Sequence, residues 1–81
     1  MSHYSAIWRG GDGNHIKYNM TRSGADSLMD QANRKGWKNY LIINQSNGDI
    51  VRWRYQDEEQ KNIMVRYYNK SKRMAPNSFN Y

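Results

Sequence analysis

Residues 23–37 read SGADSLMDQANRKGW, and this stretch carries a complete set of signals for one amphipathic helix. Its apolar residues recur at helical spacing, at Ala25, Leu28, Met29 and Ala32. Ser23 can cap the first turn, with Asp26 three residues later in the capping-box position. At the other end Gly36 can adopt the left-handed conformation that terminates a helix, and Trp37 follows as the apolar residue that packs back. The helix therefore has a predicted beginning, an apolar face and an end.

Two predicted β-hairpins flank this helix. Residues 4–9 and 15–20 alternate between the two faces of a strand, and a glycine-rich loop over residues 10–14 joins them. Residues 38–45 and 50–56 form the second hairpin, around Ser46-Asn47-Gly48. The first helix thus lies between two pairs of antiparallel strands.

The register of the second hairpin follows from how its turn sorts the side chains. A two-residue Asn-Gly turn would pair Ile43 with Arg52 and mix apolar and cationic residues on one face. A three-residue turn with Gly48 left-handed separates them. This register places Leu41, Ile43, Val51 and Trp53 on the core face. Opposite them lie Tyr40, Ile42, Asn44, Ile50, Arg52 and Arg54.

Residues 57–74 are predicted to form a second helix. Its start is acidic, and Gln60 stands in a capping-box position. A strand is the competing interpretation, because Ile63, Val65 and Tyr67 also alternate. The element order is then β-β-α-β-β-α, an α+β fold in which both helices cover one face of a four-stranded antiparallel sheet. We expect one domain over residues 1–74 and a flexible tail over 75–81.

One core is expected to hold the domain together. Its predicted members come from both hairpins and the first helix: Trp8, Leu28, Met29, Leu41, Ile43, Val51 and Trp53. Replacing Trp53 with Ala is then expected to cost about 3–5 kcal/mol of stability.

Composition narrows the class of protein. The chain has 81 residues, a net charge of +6, an aromatic content of 14% and no cysteine. The absence of cysteine and of an apolar leader or membrane-length run favours a cytoplasmic protein without disulfides. His3 and His15 have no carboxylate pair beside them, so we expect neither a metal nor another cofactor.

The excess of positive charge favours a polyanionic partner. In the predicted fold the uncovered sheet face carries cations and aromatic residues together, an arrangement suited to phosphates and stacked bases. The predicted contacts on that face are Arg9, Lys17, Tyr40, Arg52 and Arg54. A second basic surface lies on the last helix, at Arg66, Lys70 and Arg73. The leading hypothesis is therefore a non-enzymatic nucleic-acid-binding protein, with DNA and RNA both open.

Other functions are weighed against this one. A protein-interaction module or inhibitor would use the same tyrosine and arginine surface, as a monomer or homodimer. The loop Gly10-Gly11-Asp12-Gly13 matches no phosphate-binding motif and is better explained as a hairpin turn. No Ser, His and Asp combination indicates a catalytic triad. The acids are explained by helix ends, by turns or, for Asp30, by an i,i+4 pair with Arg34, and none is a buried carboxylate beside an apolar wall. An enzyme is not expected.

Overall fold

A computed structural model describes residues 3–74, except for the side chains of residues 72–74. Four strands form one antiparallel sheet in the order β2-β1-β3-β4, and two helices complete the fold. The elements are β1 (Tyr4–Gly10), β2 (Gly13–Met20), α1 (Arg22–Arg34), β3 (Asn39–Asn44), β4 (Ile50–Arg54) and α2 (Glu58–Met74). The predicted α+β class and the β-β-α-β-β-α order are confirmed. The tail predicted for residues 75–81 lies outside the described residues.

The end of α1 is correctly predicted and its start is not. Thr21 is the N-cap, because its hydroxyl oxygen accepts a hydrogen bond from the Gly24 amide at 3.0 Å. Ser23 lies inside the first turn. At the far end Gly36 is left-handed with φ 86°, and the Trp37 amide donates to the Ala32 carbonyl at 2.9 Å. This bond pattern fixes where Trp37 leaves the helix.

The first hairpin is tighter than predicted. Its strands extend to Gly10 and Gly13, so that the turn between them contains only Gly11 and Asp12. Gly13 has φ 110°, a conformation that a residue with a side chain rarely adopts. Near the other end of β2, Asn19 has φ 59° and the register shifts. Successive residues consequently cease to alternate between faces there.

The second hairpin has the predicted register over most of its length. Leu41 lies opposite Trp53 and Ile42 opposite Arg52, as a left-handed Gly48 with φ 78° requires. Beyond Ile42 the register shifts by one residue, and Ile43 pairs with Ile50. This shift moves Val51 from its predicted face to the opposite one.

The helices lie on opposite faces of the sheet, which corrects the predicted arrangement on one face. Met29 of α1 packs with Ala6, Tyr40 and Ile42. On the other face, Met64 and Tyr68 of α2 form a second cluster with Ile7, Leu41 and Ile43. Because adjacent residues of a strand point to opposite faces, these two clusters lie on the two sides of the sheet.

The single predicted core is therefore two cores, and Trp53 belongs to neither. Met29, with Trp8, Leu28 and Val51 around it, packs on the α1 side, whereas Leu41 and Ile43 pack on the α2 side. Trp53 is 58% exposed. It lies on β4, which is an edge strand of the sheet. The large loss of stability expected for its replacement has no structural basis.

The predicted helix over residues 57–74 is confirmed as α2. Asp57 caps it, since its carboxylate oxygen accepts a hydrogen bond from the Gln60 amide at 3.0 Å. The Gln60 side chain does not complete a capping box. It accepts instead from Arg9 Nε at 2.8 Å and ties α2 to β1.

Candidate functional site

The sheet face predicted to bind nucleic acid is covered by α1. Tyr40 is 4% exposed and Ile42 is fully buried. The Tyr40 hydroxyl accepts a hydrogen bond from Asn33 of α1 at 2.9 Å. Neither side chain offers a surface for a base. The prediction that Tyr40 contacts nucleic acid is therefore not supported by its burial.

The two arginines of β4 are also engaged by α1. Arg52 donates to Asp30 at 2.8 Å and to Asp26 at 3.2 Å. The hydrogen bond to Asp30 raises the pKa of Arg52 further above its usual value, and Asp26 acts in the same direction against burial. Arg54 donates to Asn33 at 2.7 Å. Arg52 is therefore neutralised by carboxylates, and it holds β4 to α1 instead of projecting into solvent.

The remaining predicted contacts do not share one surface. Lys17 is exposed on β2, the other edge strand of the sheet. Arg9 bonds to α2, on the opposite side of the sheet from α1. Arg66 and Lys70 are exposed on α2, whereas the side chain of Arg73 lies outside the described part of the chain.

A different set of residues forms a basic cleft of about 330 Å³ where β1 ends, α1 ends and β3 begins. Its lining contains three cations, one tryptophan, three glycines and two amides: Arg9, Gly10, Gly11, Lys35, Gly36, Trp37, Lys38, Asn39 and Gln56. No acidic residue is among these lining residues. We refer to this feature as the basic cleft.

Trp37 is held in the basic cleft by backbone geometry. The end of α1 fixes its main chain, and Gly10 lies against its ring. A Cβ atom added at Gly10 would stand 2.2 Å from Trp37 Cζ3. The ring of His15 meets Trp37 edge-on, with centroids 5.5 Å apart. The indole is therefore a fixed, half-buried aromatic wall.

Arg9 is positioned by neutral groups. Its Nε donates to the Gln60 side chain and its Nη1 to the Asn14 side chain, each at 2.8 Å. Two amide oxygens orient the guanidinium without cancelling its charge, and a guanidinium has further N–H donors. A half-buried cation with neutral partners keeps its attraction for an anion.

The floor of the basic cleft is polar and cross-linked. Asn39 is 6% exposed and donates to the Gln56 side chain at 3.2 Å. The Gln56 amide in turn donates to the Asn39 side chain at 2.9 Å. These paired bonds join the start of β3 to the segment after β4, and they cross-link two residues of the floor of the basic cleft.

Among the residues that the structure describes, no carboxylate pairs with the cations of the basic cleft. Within residues 3–74, none of the ion pairs involves Arg9, Lys35 or Lys38. Asp12, next to Gly11 in the turn, bonds to His15 at 3.0 Å, and this hydrogen bond lowers the pKa of Asp12. The lining therefore presents three uncompensated positive charges.

A smaller slot adjoins the basic cleft. It has a volume of about 140 Å³ and lies between α1 and the first hairpin. Its walls are mostly apolar, with one amide and one cation: Trp8, Leu28, Gln31, Ala32, Lys35 and Trp37. Lys35 and Trp37 line both cavities. We refer to this second cavity as the aromatic slot.

The sequence held a signal for the basic cleft that the prediction missed. Arg34, Lys35 and Lys38 surround the helix-ending Gly36 and Trp37, so that cations and an aromatic ring are close in sequence. Each of these residues is common at the end of a helix and was explained in that way. The prediction therefore did not consider that they could form one site together.

Two features are absent from the described residues, a cluster of metal ligands and a membrane-spanning helix. No cluster of three or more His, Cys, Asp or Glu side chains suited to a metal ion occurs among them. No helix within residues 3–74 is long and apolar enough to cross a membrane.

Comparison with known proteins gives no relative to which a function can be traced. No protein family, curated protein or solved structure matches this chain.

Proposed function

We propose that the protein binds nucleic acid without catalysing a reaction on it, and that the basic cleft is the contact site. The observation that carries the proposal is three cations around one tryptophan ring, with no acidic residue among the lining residues. Lysine and arginine neutralise phosphates, and an indole supplies a flat surface on which a base stacks. The net charge of +6 adds long-range attraction for a polyanion.

The first test removes two cations from the basic cleft. We expect the double variant Lys35→Ala, Lys38→Ala to bind oligonucleotides about tenfold more weakly at low salt. Two exposed charge contacts of about 0.7 kcal/mol each combine to about that factor. The salt dependence for a single strand should also flatten by about 1.4 in logarithmic slope, because two fewer phosphates are neutralised. Fluorescence anisotropy of labelled oligonucleotides over a range of salt concentrations measures both effects.

A matched control is provided by Arg66→Ala, Lys70→Ala. This pair removes the same total charge from an exposed face of α2. It should reduce affinity less than the loss of Lys35 and Lys38. Equal losses would mean diffuse attraction without a site, and a larger loss from the α2 pair would move the site to that helix.

The exposure of Trp53 favours a second candidate function, the recognition of a protein partner. Trp53 is 58% exposed on β4, and it lines a shallow cavity of about 190 Å³ with Ile50, Tyr55 and Lys61 of α2. Tryptophan is a frequent anchor residue in interfaces, and an edge strand has backbone groups free to pair.

The variant Trp53→Ala tests this second function. It should lower the free energy of unfolding by less than about 1 kcal/mol, because an exposed side chain contributes little to packing. Affinity capture from nuclease-treated lysate compares the partners bound by the wild-type protein and by the variant. Denaturant titration compares their free energies of unfolding. A partner bound equally by the wild-type protein and by the variant would contradict the use of Trp53.

A further inference from the structure

We propose that the basic cleft and the aromatic slot together hold two consecutive nucleotides of a single strand, one base in each cavity. This inference rests on the proposed function and specifies its ligand. Lys35 and Trp37 line both cavities, so the cavities share a cationic and an aromatic boundary. A chain that places bases in both cavities brings the phosphate between them to Lys35.

The aromatic slot has the size and chemistry of a base site. Its volume of about 140 Å³ is below the roughly 300 Å³ at which pockets for whole small ligands begin. Two tryptophans and two aliphatic side chains line it, and Gln31 adds an amide that can donate to and accept from a base edge. A base fits this description better than a phosphate, since Lys35 is its only charged lining residue.

The basic cleft suits a complete nucleotide unit. Its volume of about 330 Å³ reaches the range of small-molecule sites. Arg9 and Lys38 supply charge for a phosphate, and Trp37 supplies the ring for a base. Paired bases in a duplex are stacked and cannot enter separate cavities, so the arrangement selects a single strand.

A length series tests the inference. The probes are 5′-phosphorylated oligothymidylates and oligoadenylates of one to four nucleotides. A longer single strand is compared with its duplex, which is long enough to remain paired. We expect the largest gain in affinity between one and two nucleotides, by roughly tenfold, since a stacked base contributes about 1–3 kcal/mol. Isothermal titration calorimetry at fixed salt gives the affinities.

A blocking variant identifies the aromatic slot as the second base site. Gln31 is exposed on α1, so Gln31→Trp is expected to fill the slot without disturbing either core. In this variant, the gain in affinity between one and two nucleotides should vanish, while a mononucleotide still binds in the basic cleft. Ser27→Trp is the control, because Ser27 is also exposed on α1 and lines neither cavity.

The outcomes separate the two proposals. An even rise in affinity with length, equal binding of duplex and single strand, or a gain that survives Gln31→Trp would overturn the two-nucleotide site and leave nucleic-acid binding standing. No binding to any of the probes at low salt would overturn the proposed function itself. A gain that is lost in Gln31→Trp and kept in Ser27→Trp supports both.

Discussion

At the scale of single residues, Gly10 shows how closely the basic cleft depends on one side chain being absent. The Cα of Gly10 lies against the indole of Trp37, and an added Cβ would come within 2.2 Å of Cζ3 and 2.8 Å of Cε3. Neither atom belongs to a flexible chain end. A side chain at position 10 therefore displaces Trp37 or the tip of the first hairpin.

Gly10→Ala is consequently expected to lower the free energy of unfolding by about 1–3 kcal/mol, the range for overpacking. It should also weaken oligonucleotide binding, because Trp37 loses its place. Gly11→Ala is the control for stability, since nothing lies within 4 Å of an added Cβ there. Urea titration and anisotropy measure the two effects. Equal stability of the two alanine variants would show that Trp37 does not need Gly10.

Arg9 and Arg52 show that a residue type does not by itself indicate a role. Both are arginines on strands. Arg52 is paired with Asp26 and Asp30 and joins β4 to α1. Arg9 is held by the neutral side chains of Asn14 and Gln60, which do not compensate its charge. Between Arg9 and Arg52, the identity of the partners, amide or carboxylate, separates a candidate anion ligand from a structural arginine.

At the scale of elements, α2 is attached to the sheet through tyrosine as well as through aliphatic packing. Tyr68 is 4% exposed and belongs to the cluster with Ile7, Leu41 and Met64. Burial raises the pKa of Tyr68 above its ordinary value of 10.0, and burial likewise raises the pKa of Tyr18 on β2. The native state therefore holds these phenolic protons more tightly than the unfolded chain does.

This difference predicts a loss of stability in alkali. Below about pH 10 both states are protonated and the contribution is complete; as the pH rises further, the unfolded chain ionises first and stability falls. Tyr68→Phe should flatten the decline above about pH 10 relative to the wild-type protein. Urea titrations at stepped pH values measure the decline, with the values at pH 7 as reference. An identical decline in the variant would mean that Tyr68 is not responsible.

The two strands of the second hairpin differ in burial although they pair with each other. Leu41 and Trp53 are cross-strand partners, yet Leu41 is fully buried and Trp53 is 58% exposed. β3 has a neighbour on each side, whereas β4 is at the edge. The register thus predicted that Leu41 and Trp53 lie on the same face of the sheet, but it did not predict how deeply each is buried.

At the scale of the whole molecule, covering both faces of the sheet decides where a partner can bind. α1 occupies the face that was expected to be open and engages Arg52 and Arg54. The charge that remains available lies at the sheet end, on the edge strands and on the outer face of α2. In the basic cleft, three such charges meet the ring of Trp37 in a concave surface.

Much of the fold was determined by the sequence because its signals are local. Helical spacing and the Gly36 cap defined α1, the acidic start defined α2, and the left-handed Gly48 set most of the second register. Each depends on residues a few positions apart, whose backbone conformations and hydrogen bonds are decided among neighbours.

The tertiary structure alone decided which face each helix covers, and with it the candidate site. The run Tyr40-Leu41-Ile42-Ile43 is apolar on both faces, which is typical of a strand buried on both sides, but the run does not say which helix lies on which face. The basic cleft joins residues around 10, 37 and 56, which only the folded chain brings together. Side-chain charge and shape are properties of the sequence. Their convergence in one cavity is set by long-range packing, because α1 and α2 bury their apolar faces against opposite sides of one sheet.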